Sequence, residues 1–198
     1  MRRRAALAAG AVLLLSGCTA ATGGTGLPEA TSGQNYIDGD GSIVTTPAGK
    51  RTEPVEVSGT GVDGETIDTA DLRGKVVVLN TWFADCGPCR AEAEDLEQVW
   101  QEYRERGVQF VGINTYDSAD RAKAFQRRFG TTYPSILDAD SGAAMLALRG
   151  VAPNATPTTI VLDTEGRVAA RVSGIVTPIT LSDLLDDAGA TPAAGTGA

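Results

Sequence analysis

The sequence predicts an α/β domain with a mixed central sheet flanked by helices, and three observations carry that expectation. The continuous apolar run Val76-Val77-Val78-Leu79 is typical of a strand buried on both faces. Stretches with apolar residues every three or four positions alternate with such runs, as crossover helices do. Near the C-terminus two strand-like segments flank Thr164-Glu165-Gly166, which makes part of the sheet antiparallel.

Each element follows from its own residues. Val55-Glu56-Val57 and Glu65-Thr66-Ile67, separated by Gly59, Gly61 and Gly64, predict a short N-terminal β-hairpin. Lys75 to Trp82 is the first buried strand. A helix then runs from Cys86 to about Arg106, with Ala93, Leu96, Val99, Trp100 and Tyr103 on one side and Gly107 as its stop. Val108 to Asn114 is the next strand. Ser118 to Phe129 is a helix carrying Ala122, Phe125 and Phe129, closed by Gly130, and Gly142 to Leu148 is a shorter one. Thr158 to Asp163 and Arg167 to Ser173 form the late hairpin. Thr177 as N-cap and Pro178 at the first helical position open a final helix with Leu181, Leu184 and Leu185.

Composition narrows the chemistry. The 198 residues allow one domain with tails, and 42% hydrophobic residues are enough for a core. The chain has no His, which excludes Ser-His-Asp and Cys-His catalysis and His-ligated metals. Its 3 Cys cannot supply a four-cysteine zinc or iron–sulfur site. No metal or other cofactor is expected. A net charge of −8 argues against nucleic acid, whose phosphates need a basic surface.

The ends read differently from the middle. Met1-Arg2-Arg3-Arg4 followed by the apolar Ala5 to Leu15 is the pattern of a secretory signal over residues 1–17. As a helix that run would span about 16 Å, half a bilayer core, too short for a transmembrane anchor. Leu15-Ser16-Gly17-Cys18 resembles the bacterial lipobox, which implies cleavage before Cys18 and lipid on its sulfur. The mature charge would then move from −8 to −11 with loss of the three arginines, and lipid rather than electrostatics would hold the protein to a membrane. Residues 18–50, rich in Gly, Thr, Ser, Asp and Pro, read as a flexible tether, 51–188 as the domain and 189–198 as a disordered tail.

Lipid on Cys18 leaves an even pair, Cys86 and Cys89, within Trp82-Phe83-Ala84-Asp85-Cys86-Gly87-Pro88-Cys89-Arg90. A C-x-x-C where a buried strand turns into a helix is a thiol–disulfide motif. Residues i and i+3 at a helix start lie on one face, roughly 5–6 Å apart, as a disulfide needs. The free N–H groups of the first turn favour thiolate at Cys86, which makes it the exposed attacking sulfur, and Cys89, one turn deeper, resolves the mixed disulfide. A purely structural disulfide would gain little from so short a loop. Half of a zinc site would require dimerisation.

Cys-Gly-Pro-Cys after a buried strand resembles thioredoxin. Leu72-Arg73-Gly74-Lys75, Asn80 and Cys89-Arg90-Ala91-Glu92 are similar to the TlpA/ResA-like branch, the membrane-attached extracytoplasmic thioredoxins. So is the long stretch between the cysteines and Ala155-Thr156-Pro157-Thr158, with Tyr133-Pro134 and Asp138. The resemblance covers about Val55 to Asp187. It implies a thioredoxin-like fold with an inserted strand and helix, and a lipid-anchored monomer outside the cytoplasm. It also implies exchange with disulfide-bearing or dithiol proteins, served by a membrane electron donor or acceptor. Cytochrome c maturation is the family-level expectation.

The resemblance also assigns site residues. Pro157 matches the cis-proline facing the disulfide, which would present the backbone of Thr156 to a substrate peptide and keep metals off the sulfurs. Trp82 is expected with Thr156 at the substrate-binding surface. Glu92 matches an active-site acid of the cytochrome-maturation reductases, able to move protons to and from Cys89; the plainer reading is a helix-start acid beside Glu94, Asp95 and Glu97. One departure stands out. The family has Trp immediately before the first Cys, and here it is Asp85, an anion that opposes thiolate formation unless Arg90 offsets it. The alternative is Asp85 as a helix N-cap. Arg121, Lys123, Arg127 and Arg128 form the densest basic cluster, a solvated helix face on the plainer reading.

Rival functions are weighed on the same residues. A peroxiredoxin-like peroxidase has Thr three residues before its reactive Cys, where this chain has Phe83. A Sco-type copper-delivery protein uses C-x-x-x-C and a His. An idle partner-binding lipoprotein would be favoured by a buried cysteine pair.

Overall fold

The computed structural model describes residues 39–152 and 154–191. The signal segment, Cys18 and most of the tether and tail lie outside the described residues. The chain runs β1 (Ile43–Thr45), β2 (Ser58–Thr60), β3 (Thr66–Asp68), β4 (Val76–Trp82), α1 (Gly87–Tyr103), β5 (Val108–Asn114) and α2 (Ala119–Phe129). It continues β6 (Ser135–Leu137), α3 (Ala143–Ala147), β7 (Thr158–Leu162), β8 (Val168–Ser173) and α4 (Pro178–Ala188). Six strands form one mixed sheet in the order β1-β8-β7-β4-β5-β6, and β2-β3 form a separate hairpin. The fold is thioredoxin-like.

The central strand is β4. It pairs parallel with β5, Val76 opposite Val108 through Trp82 opposite Asn114, and antiparallel with β7. All seven of its residues are buried. Alternation explains why. Val76 and Val78 face a core with Leu96, Val99 and Tyr103 of α1 and Leu181, Leu184 and Leu185 of α4. Val77 and Leu79 face a second core with Val57, Ile67, Ile136, Ala144 and Leu148. The β2-β3 hairpin and α3 thus cover one face, and α1 and α4 the other. The inserted strand and helix are β6, which extends the sheet beside β5, and α3.

Helix ends follow the local code. Gly107 and Gly130 take left-handed φ of 72° and 70°, a backbone that suits glycine, where the chain leaves α1's trailing turn and α2. Thr177 caps α4 by accepting from the Thr180 N–H, with Pro178 at the first turn.

Three expectations shift. The hairpin strands are Ser58–Thr60 and Thr66–Asp68, so Val55 and Glu56 fall outside it and Val57 is a core residue instead. Ile43–Thr45, expected within the tether, pairs antiparallel with β8, because β8 would otherwise present an open edge. The tail begins later than residue 189: Ala190 is buried and the Thr191 N–H donates to the Arg106 carbonyl.

Candidate active site

The site forms where β4 ends and α1 begins. Cys86 is the N-cap of α1, and its sulfur accepts from the Cys89 N–H at 3.2 Å. The Asp85 N-cap alternative is therefore corrected: the cap is the cysteine itself. Cys86 and Cys89 are joined as a disulfide with Cα atoms 5.2 Å apart. Pro88 sits in the first turn, where a missing N–H costs nothing.

Burial overturns one expectation. The thiolate argument places Cys86 at an exposed helix start, but in the fold it is 0% accessible and Cys89 is 2%. The pair sits within a cluster of Val62, Trp82, Phe83, Ala84, Ala93, Ala122 and Phe125, and the Thr156 carbonyl oxygen lies 3.9 Å from the Cys86 sulfur. The Thr156–Pro157 peptide is cis and follows directly on from that carbonyl. Trp82 does not reach the surface assigned to it. It is 4% exposed and stacks on Phe125 with ring centroids 4.5 Å apart, because a residue at the end of a fully buried strand points into the packing beneath α2.

Glu92 is the least expected feature to find inside. Its carboxylate is 0% exposed, on the face of α1 that carries Cys89. Asn80 of β4 donates to it at 2.8 Å and the Val176 N–H, from the loop before α4, at 3.2 Å. Burial pushes its carboxyl up to about 7, against the two hydrogen bonds that favour the charged form. Asn80 also donates to Thr159 of β7 at 3.2 Å, which fixes its amide. Tyr133 is buried nearby: desolvation and the Glu92 and Glu97 carboxylates push its hydroxyl upward. A buried carboxyl that titrates near neutrality beside a thiol pair can accept and return a proton at working pH.

Asp85 is not left as a bare anion. Its carboxylate pairs with Arg90 at 2.9 Å and with Arg121 of α2. Of the basic cluster on α2, Arg121 belongs to the site, while Lys123 pairs with Asp63. In the sequence Asn80 marks only the likeness to the TlpA/ResA-like branch, and Val176 and the role of Arg121 carry no sequence signal, since each reaches the site from a distant segment.

The comparisons agree with this geometry. The Redoxin family profile matches residues 36–187. The thiol-disulfide oxidoreductase ResA of Bacillus subtilis is 31% identical over 124 residues, covering 63% of this chain and 67% of that protein. The thiol:disulfide interchange protein HelX of Rhodobacter capsulatus is 34% identical over 146 residues, covering 73% of this chain and 78% of that one. Among solved structures, a secreted thiol-disulfide isomerase of Corynebacterium glutamicum is 32% identical with a TM-score of 0.69, covering 77% of this chain and 96% of that one. A secreted disulfide oxidoreductase of Mycobacterium tuberculosis, described as homologous to DsbE, is 25% identical with a TM-score of 0.59, over 67% and 96% of the two chains.

Proposed function

The chain belongs to the Redoxin family and is a thiol–disulfide oxidoreductase of the ResA/HelX type, and from that premise we propose that it is a lipid-anchored extracytoplasmic reductant of protein disulfides, serving cytochrome c maturation. The observation that carries the chemistry is the Cys86–Cys89 disulfide with buried Glu92 one turn beyond it.

In the reduced protein, the Cys86 thiolate attacks one sulfur of a partner disulfide. A mixed disulfide forms and the partner's other sulfur leaves as thiolate and takes a proton. Glu92 accepts the Cys89 proton, and the Cys89 thiolate attacks the Cys86 sulfur. That closes the Cys86–Cys89 bond and releases the partner with two thiols. Two electrons have passed to the partner. A membrane electron donor returns them. The backbone at Thr156, beside the Cys86 sulfur, is where a partner strand would pair.

Direction rests on how far the protein stabilises its reduced form. Gly87-Pro88 is the dipeptide of thioredoxin, near −270 mV, far from the oxidant DsbA at about −120 mV. Extracytoplasmic placement is supported by the secreted relatives and by the basic, apolar, Leu-Ser-Gly-Cys start, which lies outside the described residues. Equilibration with a glutathione buffer tests the reading: a potential near that of thioredoxin supports it, and one near that of DsbA makes the protein an oxidase of secreted proteins instead.

Burial of the pair is the one observation that favours an idle, partner-binding lipoprotein. Stoichiometric reduction of the disulfide by dithiothreitol, with both thiols then open to alkylation, separates the enzyme from that alternative.

A further inference from the structure

The two residues before Cys86 are held in a closed ring of polar contacts. The Ala84 N–H donates to Asp117 Oδ2 at 2.6 Å. Asp117 Oδ1 pairs with Arg121 Nε at 2.8 Å, and Arg121 pairs with Asp85. Asp85 Oδ1 accepts from Arg90 at 2.9 Å, and Arg90 Nε donates to the Ala84 carbonyl at 2.6 Å, which closes the ring. Asn114 locks the far side: its amide donates to Asp117 Oδ2 at 2.9 Å, and its oxygen accepts from the Asp117 N–H at 2.8 Å. Asp117 is 3% exposed, so one anchor of the ring is inside the protein.

We propose that this ring sets the reactivity of Cys86, with Arg121 as a positioning residue that ties the segment before the attacking sulfur to α2 and cancels the charge of Asp85. The inference rests on the oxidoreductase reading only in making Cys86 the attacking thiol. Two guanidinium groups face two carboxylates, so the ring is neutral and the anion beside Cys86 is offset. Both guanidinium groups use their planar fork, each bridging two oxygen atoms, which a lysine ammonium does less well. Arg128 of α2 lines the same pocket as Asp85, Arg90 and Arg121, Asp63 beside Val62 is paired with Lys123, and the neighbouring segments add Cys89 and Glu92 on α1 and Tyr116, whose ring packs on Phe83. The segments 155–157 and 174–177 bring no charged side chain. The ring is the set of charges tied directly to the two residues that precede the sulfur.

Charge arithmetic supplies the test. Arg121→Ala leaves one uncancelled negative charge and Asp85→Asn one uncancelled positive charge; the double variant is neutral again. The reduced full-length protein is alkylated with iodoacetamide across a pH series, and modification is read on the Cys86 peptide by mass spectrometry. The Arg121 and Asp85 side chains are 50% and 65% exposed, so solvent screens their charge, and one uncancelled charge there changes the Cys86 thiolate fraction roughly threefold. Arg121→Ala is expected to slow Cys86 alkylation at neutral pH by that factor and move the profile upward. Asp85→Asn does the reverse, the double variant returns to the wild-type profile, and Arg121→Lys restores most of it because charge is kept. Profiles that superimpose for wild type and Asp85→Asn overturn the proposal, and that arm stands even where Arg121→Ala does not fold. So does a double variant that stays as slow as Arg121→Ala. Alkylation needs no partner protein, so these outcomes are independent of the glutathione equilibrium that tests the direction of electron flow.

Discussion

At the scale of single residues, Glu92 links stability to pH. Its carboxyl rises from 4.5 in an open chain to about 7 in the fold, with burial as the main cause. Between those values the folded protein holds a proton that the unfolded chain has released. Stability from this group is therefore complete below about pH 4.5, falls as pH rises, and levels off above 7, a loss of roughly 3 kcal/mol. Glu92→Gln keeps the shape and removes the titration. Urea unfolding at pH 5 and pH 8 is expected to show a smaller pH-dependent loss in Glu92→Gln than in wild type, and the variant to be the more stable protein at pH 8. An equal loss in both would assign the pH dependence to other groups. The variant should also exchange disulfides more slowly and lose the wild-type inflection near pH 7, because Cys89 loses its proton acceptor.

The two cysteines differ in what their loss should do. Cys89→Ser leaves Cys86 able to attack with no resolving thiol, so mixed disulfides with partner proteins are expected to accumulate. Cys86→Ser should accumulate none. Non-reducing gels of the two variants after exposure to extracytoplasmic proteins give the comparison, and equal trapping would reverse or abolish the assigned roles.

At the scale of elements, α3 depends on one side chain. With five residues it cannot hold itself, since a helix that short barely offsets its own nucleation. Buried Asp138 accepts from the Ala144 N–H and the Met145 N–H at 2.9 Å each and from the Ser141 hydroxyl at 2.8 Å. Asp138→Ala strands those donors and is expected to cost about 3 kcal/mol, read as a lowered urea midpoint. Because α3 covers the sheet face opposite α1, thiol exchange at Cys86 should survive that change while the fold remains populated. By contrast, α2 bears directly on the site. Phe125 packs on Trp82 in the cluster that holds the cysteine pair, and Arg121 reaches Asp85.

At the scale of the whole molecule, the proposed membrane attachment lies outside the helices of the fold. No helix among the described residues is long and apolar enough to cross a membrane. The proposed attachment is the lipid on Cys18, which lies ahead of the described fold. Cys18→Ala is expected to move the protein from the membrane fraction to the soluble extracytoplasmic fraction without changing its unfolding midpoint. If the variant stays as membrane-bound as wild type, the anchor is elsewhere.

Local patterning accounts for much of the fold. The seven-residue buried strand, the helix stops at Gly107 and Gly130, the Thr177-Pro178 start and the C-x-x-C pair at a strand–helix junction all follow from neighbours a few positions apart. The resemblance added the cis peptide at Thr156–Pro157 and the acid at Glu92, but not their surroundings. The rest needed the tertiary structure. Desolvation is a sum over every atom packed around a group, and that sum is set by distant segments: Val176 meets Glu92 from 84 positions away, and Asp117 meets Ala84 from 33. For the same reason no local pattern could show that Cys86 is closed to solvent, that Trp82 turns inward, or that Asp85 is held by an arginine from another helix. β1 is the counterpart at the level of elements, three exposed residues with no pattern of their own that became a strand because β8 had an edge to fill.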